Sequence, residues 1–316
     1  FSRGSSIEFL TERFYQHVWR MKYKVLLWCI LSCFLLACST PSGKTLSQPE
    51  APRVKIGLAL GGGAAKGFAH IGVIKMLESQ GIVPDVVSGT SAGSLVGSLY
   101  CSGLDAFALQ KKAFGLDESH IRDLSLLSGG LLKGLKLQNY VNYLVGQRPL
   151  EKLGKPFSAV ATELSTGRRV HFVRGNTGLA VRASCSIPGV FEPVEIRGRK
   201  YIDGGVVSPV PVDAARELGG MLIIAVDISR KATDVSINRS ILGVVGQSIT
   251  IMGQKLGEQE LARADVIIRP KVGKIGAADF DQKNIAILEG EKAALAAIPE
   301  IRQKLAEKQK KLQGLK

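Results

Sequence analysis

The tightest constraint on the fold is a unit that occurs twice in succession: a short apolar run, a glycine-containing break, then a helical pattern. Val54 to Leu60 is apolar apart from Lys55, and Gly61-Gly62-Gly63 follows. From Gly67 to Gln80, Phe68, Ile71, Ile74 and Leu77 recur at helical spacing before Gly81 ends the run. Val83 to Ser88 then gives a second strand pattern, Gly89-Thr90-Ser91-Ala92-Gly93 a tight turn, and Ala92 to Ser102 a second helix. Strands buried on both faces and alternating with helices belong to a parallel sheet covered on each side. The expectation is an α/β protein, a three-layer α/β/α arrangement with a mostly parallel central sheet.

Later strands are expected at Phe157–Thr162, Arg169–Val173, Lys200–Ile202 and Met221–Asp227, with an edge strand at Ala264–Arg269. Ala106 to Leu150 reads as less regular, a lid or cap. Gln282 to Lys316 is helical in pattern and turns basic after Arg302. At 316 residues, 45% hydrophobic and 22% charged, the chain can form one large domain and is not disordered throughout.

The net charge is +15, of which residues 1–37 contribute +3. A surface this basic is drawn to anionic lipid or to nucleic acid. No helix-turn-helix, zinc-finger or RNA-binding pattern accompanies the charge, so no nucleic-acid partner is expected.

Met21, Lys22 and Lys24 open a segment whose apolar stretch, Val25 to Ala37, is too short to span a bilayer and suits a secretory signal. It ends in Leu35-Leu36-Ala37-Cys38, which resembles the lipobox of bacterial lipoproteins, with Cys38 as the lipidated residue. Ser39, standing where an aspartate would retain the protein, resembles outer-membrane sorting; the expected location is the cell envelope, lipid-anchored, facing the periplasm. The expected organisation is an upstream segment (1–20), a signal peptide (21–37), a flexible Ser/Pro/Gly-rich tether (38–53), the folded domain (54–280) and a C-terminal basic helix (281–316). Cys29 and Cys33 leave with the signal, so Cys101 and Cys185 remain, read as two buried free thiols.

Three segments carry chemistry. Gly89-Thr90-Ser91-Ala92-Gly93 is a G-x-S-x-G pentapeptide between a strand and a helix, the setting of a nucleophile elbow. The glycines relieve crowding where the serine is forced out of the turn, and the following helix N-terminus favours developing negative charge. Gly61-Gly62-Gly63-Ala64-Ala65-Lys66-Gly67 offers backbone N–H groups to an anion. Its spacing fits neither a Walker loop nor a dinucleotide fingerprint, and an oxyanion hole fits better. Tyr201-Ile202-Asp203-Gly204-Gly205 places an acid at a strand end; alone, it reads as a turn-forming aspartate.

Together, in this order, the segments resemble the patatin-like phospholipase family. Lys66-Gly67-Phe68-Ala69-His70-Ile71-Gly72-Val73 and Arg182-Ala183-Ser184-Cys185-Ser186-Ile187-Pro188-Gly189 also match, and the likeness covers about residues 54 to 230. The resemblance implies a patatin-like fold and a serine acyl-ester hydrolase of the phospholipase or lysophospholipase kind. It implies a Ser91–Asp203 dyad, an oxyanion hole from Gly61, Gly62, Gly63, Ala64 and Lys66, an acyl-lipid or phospholipid substrate, and no cofactor or metal. No histidine follows Asp203, which agrees with a dyad that uses none; His70 reads as a packed, hydrogen-bonded residue. Family loops usually carry arginine in place of Lys66 and often glycine in place of Ala64. Lys66 keeps the charge without the bidentate fork, and Ala64 is tolerable if it is not required at φ > 0. The basic end of the C-terminal helix (Arg302, Lys304, Lys308, Lys310, Lys311) and the lipid anchor are the expected membrane contacts. The alternatives are a membrane-tethered, non-catalytic lipid-binding scaffold on the same fold, and an esterase or thioesterase for small acyl groups.

Overall fold

The computed structural model describes residues 52–115, 132–234 and 241–314. The upstream segment, the signal region, Cys38 and the tether as far as Ala51 lie outside the described residues, as do His17 and His120. In chain order the elements are β1 (Ile56–Leu60), α1 (Phe68–Ser79), β2 (Val86–Thr90), α2 (Ala92–Cys101), α3 (Ala106–Phe114) and α4 (Leu135–Leu144). Then come β3 (Phe157–Glu163), β4 (Arg169–Phe172), α5 (Thr177–Ser184), β5 (Val194–Ile196), β6 (Arg199–Asp203) and α6 (Val212–Glu217). The chain continues through β7 (Leu222–Val226), α7 (Ile241–Leu261), β8 (Val266–Ile268) and α8 (Lys283–Gly314).

The sheet runs β5-β6-β3-β2-β1-β7-β8, with β4 also paired to β3. The β3-β2-β1-β7-β8 portion is parallel, and β4, β5 and β6 form an antiparallel wing. Alternate residues of the central strands enter opposite cores. Leu58, Leu60, Leu222, Ile224 and Val226 pack with Ile71, Ile74 and Leu77 of α1 and with Ile298 and Ile301 of α8. Ala59, Ile223 and Ala225 face the other way, onto Val212 and Ala215 of α6 and Leu261 of α7. Each fully buried leucine or isoleucine contributes about 1.5–3 kcal/mol, so both faces need their helical cover.

The wing brings two strand ends together. Thr90, the last residue of β2, pairs with Val160 of β3, and Asp203, the last residue of β6, pairs with Ala161. β4 pairs with Ala159 to Thr162, overlapping both partners, so it occupies the opposite edge of β3. β2 and β6 therefore share one edge and run into each other head to head.

The C-terminal helix is part of the domain. Where α8 crosses α1, a Cβ on Gly72 would lie 1.9 Å from Ile287 O and one on Gly290 2.0 Å from Ala69 O, so glycine alone permits this approach. The basic end is also engaged: Lys308 Nζ donates to Met221 O (2.8 Å) and pairs with Asp265 (2.9 Å), while Arg302 donates to Gln80 Oε1 (3.0 Å). In place of an irregular stretch from Ala106 to Leu150, the described residues form α3 and α4. α7, which the sequence pattern did not suggest, carries Gly246, Gly253 and apolar residues with no single face, so its periodicity is weak.

Candidate active site

Ser91 sits between the end of β2 and the start of α2 with φ 52° and ψ −123°, a conformation costly for a residue with a side chain. Its neighbours make that turn possible. A Cβ on Gly93 would lie 2.1 Å from Leu60 O, and one on Gly89 2.4 Å from Gly93 O. The strained peptide is tied down from several sides. Ser91 N donates to Ser184 Oγ (2.9 Å), which donates to Val160 O (2.6 Å) on β3. Ser94 Oγ and Ser94 N both donate to Ser91 O. The Ser91 hydroxyl is left beside the Asp203 carboxyl and the Cys185 thiol.

Asp203 is buried at the end of β6. Its Oδ1 accepts from Gly205 N (2.7 Å), its carbonyl accepts from Thr162 Oγ1 (2.9 Å), and its N–H donates to Ser186 O (2.9 Å). Oδ2 is buried without a hydrogen-bond partner. Burial pushes the carboxyl up to about 6, against the lowering effects of the nearby Ser91 hydroxyl and the Gly205 N–H. An unpaired, desolvated carboxylate titrating near neutrality is a base in search of a proton.

The glycine loop is held by its own backbone and by His70. Gly61 N donates to Val226 O, Gly62 N to Pro209 O and Lys66 N to Gly63 O. Of the five residues expected in the oxyanion hole, these three already have their N–H groups committed. Gly63 and Ala64 have N–H groups with no such acceptor among the described residues, and both residues line the cleft that holds Ser91. Ala64 does adopt φ 50°, so the condition set for its easy replacement of glycine is not met, and the loop carries that strain. His70, fully buried, sets its Nε2 2.8 Å from Gly61 O, and burial lowers its pKa to about 4. It is thus neutral, with Nε2–H donating: a fastener of the loop. His171 pairs with Glu217 through Nδ1 (2.6 Å) on β4.

A buried glutamate braces the same site from α7. Glu260 Oε1 accepts from Ser208 Oγ (2.5 Å) and Oε2 from Val210 N (2.8 Å). The segment it clamps supplies Ser208 O to Thr90 Oγ1 (2.8 Å), Pro209 O to Gly62 N (3.0 Å) and Pro211 O to Ser88 Oγ (2.7 Å). Burial raises its carboxyl to about 7 against the pull of Ser208, Val210 and Arg169. Glu260 did not stand out in the sequence, and Ser184, though within the matching Arg182–Gly189 segment, carried no assigned role there. Each is one polar residue in a helix, without spacing that marks it.

Two cavities meet at Ser91. One, of about 230 Å³, is almost wholly apolar, walled by Ile71, Leu95, Val96, Leu109, Leu137 and Phe280 among others. The second, of about 300 Å³, contains Asp203, Lys66, Ser229, Arg230, Thr250 and Gln254. Ser91, Ala64, Ile187 and Ala277 border both. Cys101 and Cys185 are buried free thiols; Cys185 Sγ lies 3.7 Å from Ser94 Oγ and its thiol is pushed up to about 12. Among the described residues no three His, Cys, Asp or Glu side chains group as metal ligands.

A doubly covered α/β sheet with a serine elbow at one strand end and a buried carboxylate at the next defines the patatin class of α/β protein. The patatin-like phospholipase family model matches residues 58–216, and the chain belongs to that family. An uncharacterized NTE family protein of Mycobacterium tuberculosis is 38% identical over 192 residues, 60% of this chain and 52% of that one. Lysophospholipase NTE1 of Pyricularia oryzae is 36% identical over 186 residues, 57% of this chain and 12% of that one. The chain thus spans about half the length of the mycobacterial relative and a small part of the fungal one. Among solved structures, VipD from Legionella pneumophila shares the fold with a TM-score of 0.57 at 15% identity, over 81% of this chain and 67% of that one.

Proposed function

We propose that the protein is a lipid acyl-ester hydrolase in which Ser91 is the nucleophile and Asp203 its general base. The observation that carries this reading is the position of Ser91 at the junction of an apolar cavity and a polar cleft, beside a buried carboxylate with one unpaired oxygen. An acyl chain fits the first space and the alcohol or headgroup portion the second. Arg230 and Lys66 in the polar cleft favour an anionic group there.

In this mechanism the Ser91 Oγ–H bond breaks as Oγ attacks the ester carbonyl carbon, and Asp203 Oδ2 takes the proton. The carbonyl oxygen becomes an oxyanion held by the Gly63 and Ala64 N–H groups. Collapse breaks the ester C–O bond, and the leaving alkoxide recovers the proton from Asp203. Water, deprotonated in turn by Asp203, attacks the acyl-enzyme carbonyl; the free acid leaves and Ser91 Oγ is reprotonated. A pKa near 6 makes Asp203 a stronger base than an exposed aspartate while leaving it mostly ionised at pH 7.

The test is hydrolysis by the full chain of p-nitrophenyl esters of increasing chain length and of mixed phospholipid, beside Ser91→Ala and Asp203→Asn. Activity in the parent that is lost in both folded variants supports the dyad. Folded parent without activity on any of these substrates removes the reading in favour of a lipid-binding scaffold. Acylation of Cys38 would hold the domain beside such a substrate; loss of membrane association in Cys38→Ala tests that separately.

A further inference from the structure

We infer that the N-terminal half of α7 is a docking surface for an anionic lipid bilayer, seated in its interfacial layer beside the mouth of the active-site cleft. This rests on the lipid-hydrolase reading only for its purpose, not for its physics. From Ile241 to Gln254 the helix contains no charged residue. Its described apolar side chains face outward: Val244 is 53% exposed, Val245 50%, Ile249 60%, Ile251 46% and Met252 63%. A helix apolar around its exposed circumference is out of place in water.

The polar groups of this stretch are arranged to leave that surface carbon-like. Ser248 Oγ donates to Val244 O (2.9 Å) and Thr250 Oγ1 to Gly246 O (3.0 Å), so the hydroxyls are satisfied within the helix. Lipid asks for no hydrogen bonds and accepts such a face. Two glutamines fix the helix to the domain at one point: Gln247 Nε2 donates to Ala232 O (2.9 Å) and Gln254 Oε1 accepts from Ala232 N (2.9 Å). Val244 to Met252 rises about 12 Å at 1.5 Å per residue. That length suits burial of an amphipathic element in the headgroup and upper acyl region. Among the described residues no helix is long and apolar enough to cross a membrane.

The face is continuous with the site. Ile249, Thr250, Gly253 and Gln254 wall the cleft that contains Ser91 and Asp203, and the exposed Val206 lies on its lining too. Arg230, exposed on that cleft, and the exposed Lys231 beside it supply positive charge for anionic headgroups. A lipid drawn from a bilayer at α7 therefore enters the cleft without crossing open water.

The experiment uses the full chain with W19F, W28F and S91A, so that catalysis plays no part, and M252W as the reporter. With vesicles of phosphatidylcholine and phosphatidylglycerol, the M252W indole is expected to shift blue and to be quenched by lipids brominated near the headgroup end of the acyl chains. Affinity should fall roughly fivefold for each of Arg230→Gln and Lys231→Gln, from about 1 kcal/mol per basic side chain. In the catalytically intact chain, V245D with M252D should cut hydrolysis of vesicle lipid at least tenfold and leave short-chain ester turnover unchanged. An indole not quenched by brominated lipid overturns the inference. So does one shielded from acrylamide before lipid is added, since the face is then covered by a second copy or by the chain's own N-terminal segment. Quenching in a parent that hydrolyses no ester leaves the docking surface standing and removes the hydrolase reading alone.

Discussion

Ser91 and Asp203 are neighbours because their strands end against consecutive residues of β3, Thr90 opposite Val160 and Asp203 opposite Ala161. One strand runs parallel to β3 and the other antiparallel, so a residue that leaves β2 meets the carboxylate that closes β6. Ser184 and Thr162, bonded to Ser91 N and to Asp203 O, anchor both ends to that same region. Two groups separated by more than a hundred residues are thereby set side by side by two rungs of one ladder.

Asp203 is held ionised at a cost to the fold. Its pKa rises on folding from 3.8 to about 6, so protonation favours the native state. That contribution is fully present below pH 4 and is lost as pH rises through 6. Asp203→Asn should therefore stabilise the protein at pH 8 by about 3 kcal/mol, at ~1.4 kcal/mol per pKa unit, and much less at pH 4. Urea unfolding at the two pH values reads the difference. The parent's kcat/KM should rise with pH through about 6 to a plateau, and the variant should lose most of its activity at every pH.

Ala64 offers a gain of the opposite kind. At φ 50° it carries a Cβ penalty that glycine avoids. Ala64→Gly should raise thermal stability by up to about 1 kcal/mol without reducing kcat, as measured by calorimetry and ester turnover. A loss of stability would mean that the left-handed turn is not strained.

Glu260 should matter to catalysis although it lines neither cavity. Glu260→Ala leaves Ser208 Oγ and Val210 N without their acceptor, costing about 2–3 kcal/mol. The freed segment loosens Thr90 and Gly62 together, so kcat should fall while KM for a short ester changes little. Glu260→Gln, which keeps one acceptor oxygen, should recover part of both losses.

The apolar cavity should measure the acyl chain. Ala113, on α3, is buried in its wall, and Ala113→Phe places a ring in the space. Long-chain esters should lose about tenfold in kcat/KM, in line with the 1–3 kcal/mol attached to small changes of fit in an apolar pocket. Butyryl esters should be unaffected. Equal loss on both would locate the chain elsewhere.

Much of this molecule was legible in the residues themselves. Val54–Leu60 read as a buried strand and Phe157–Thr162 and Met221–Asp227 as strands, and β1, β3 and β7 lie within or nearly on those bounds, because a strand covered on both faces leaves an apolar run that needs no partner to be recognised. The tight turn at Gly89 to Gly93 was equally plain, since its glycines answer a local steric demand. What local sequence could not carry was pairing. The order of strands, the shared edge of β3 and the burial that raises Asp203 depend on residues far apart in the chain, as does the clamp that Glu260 places on Ser208 and Val210. Which N–H groups of the glycine loop stay free was decided in the same way, because Val226 and Pro209 arrive from the other side of the domain to take Gly61 and Gly62. Sequence determined the elements and their chemistry; tertiary structure alone decided which of those groups meet, since hydrogen-bond partners and desolvation are properties of neighbours in space.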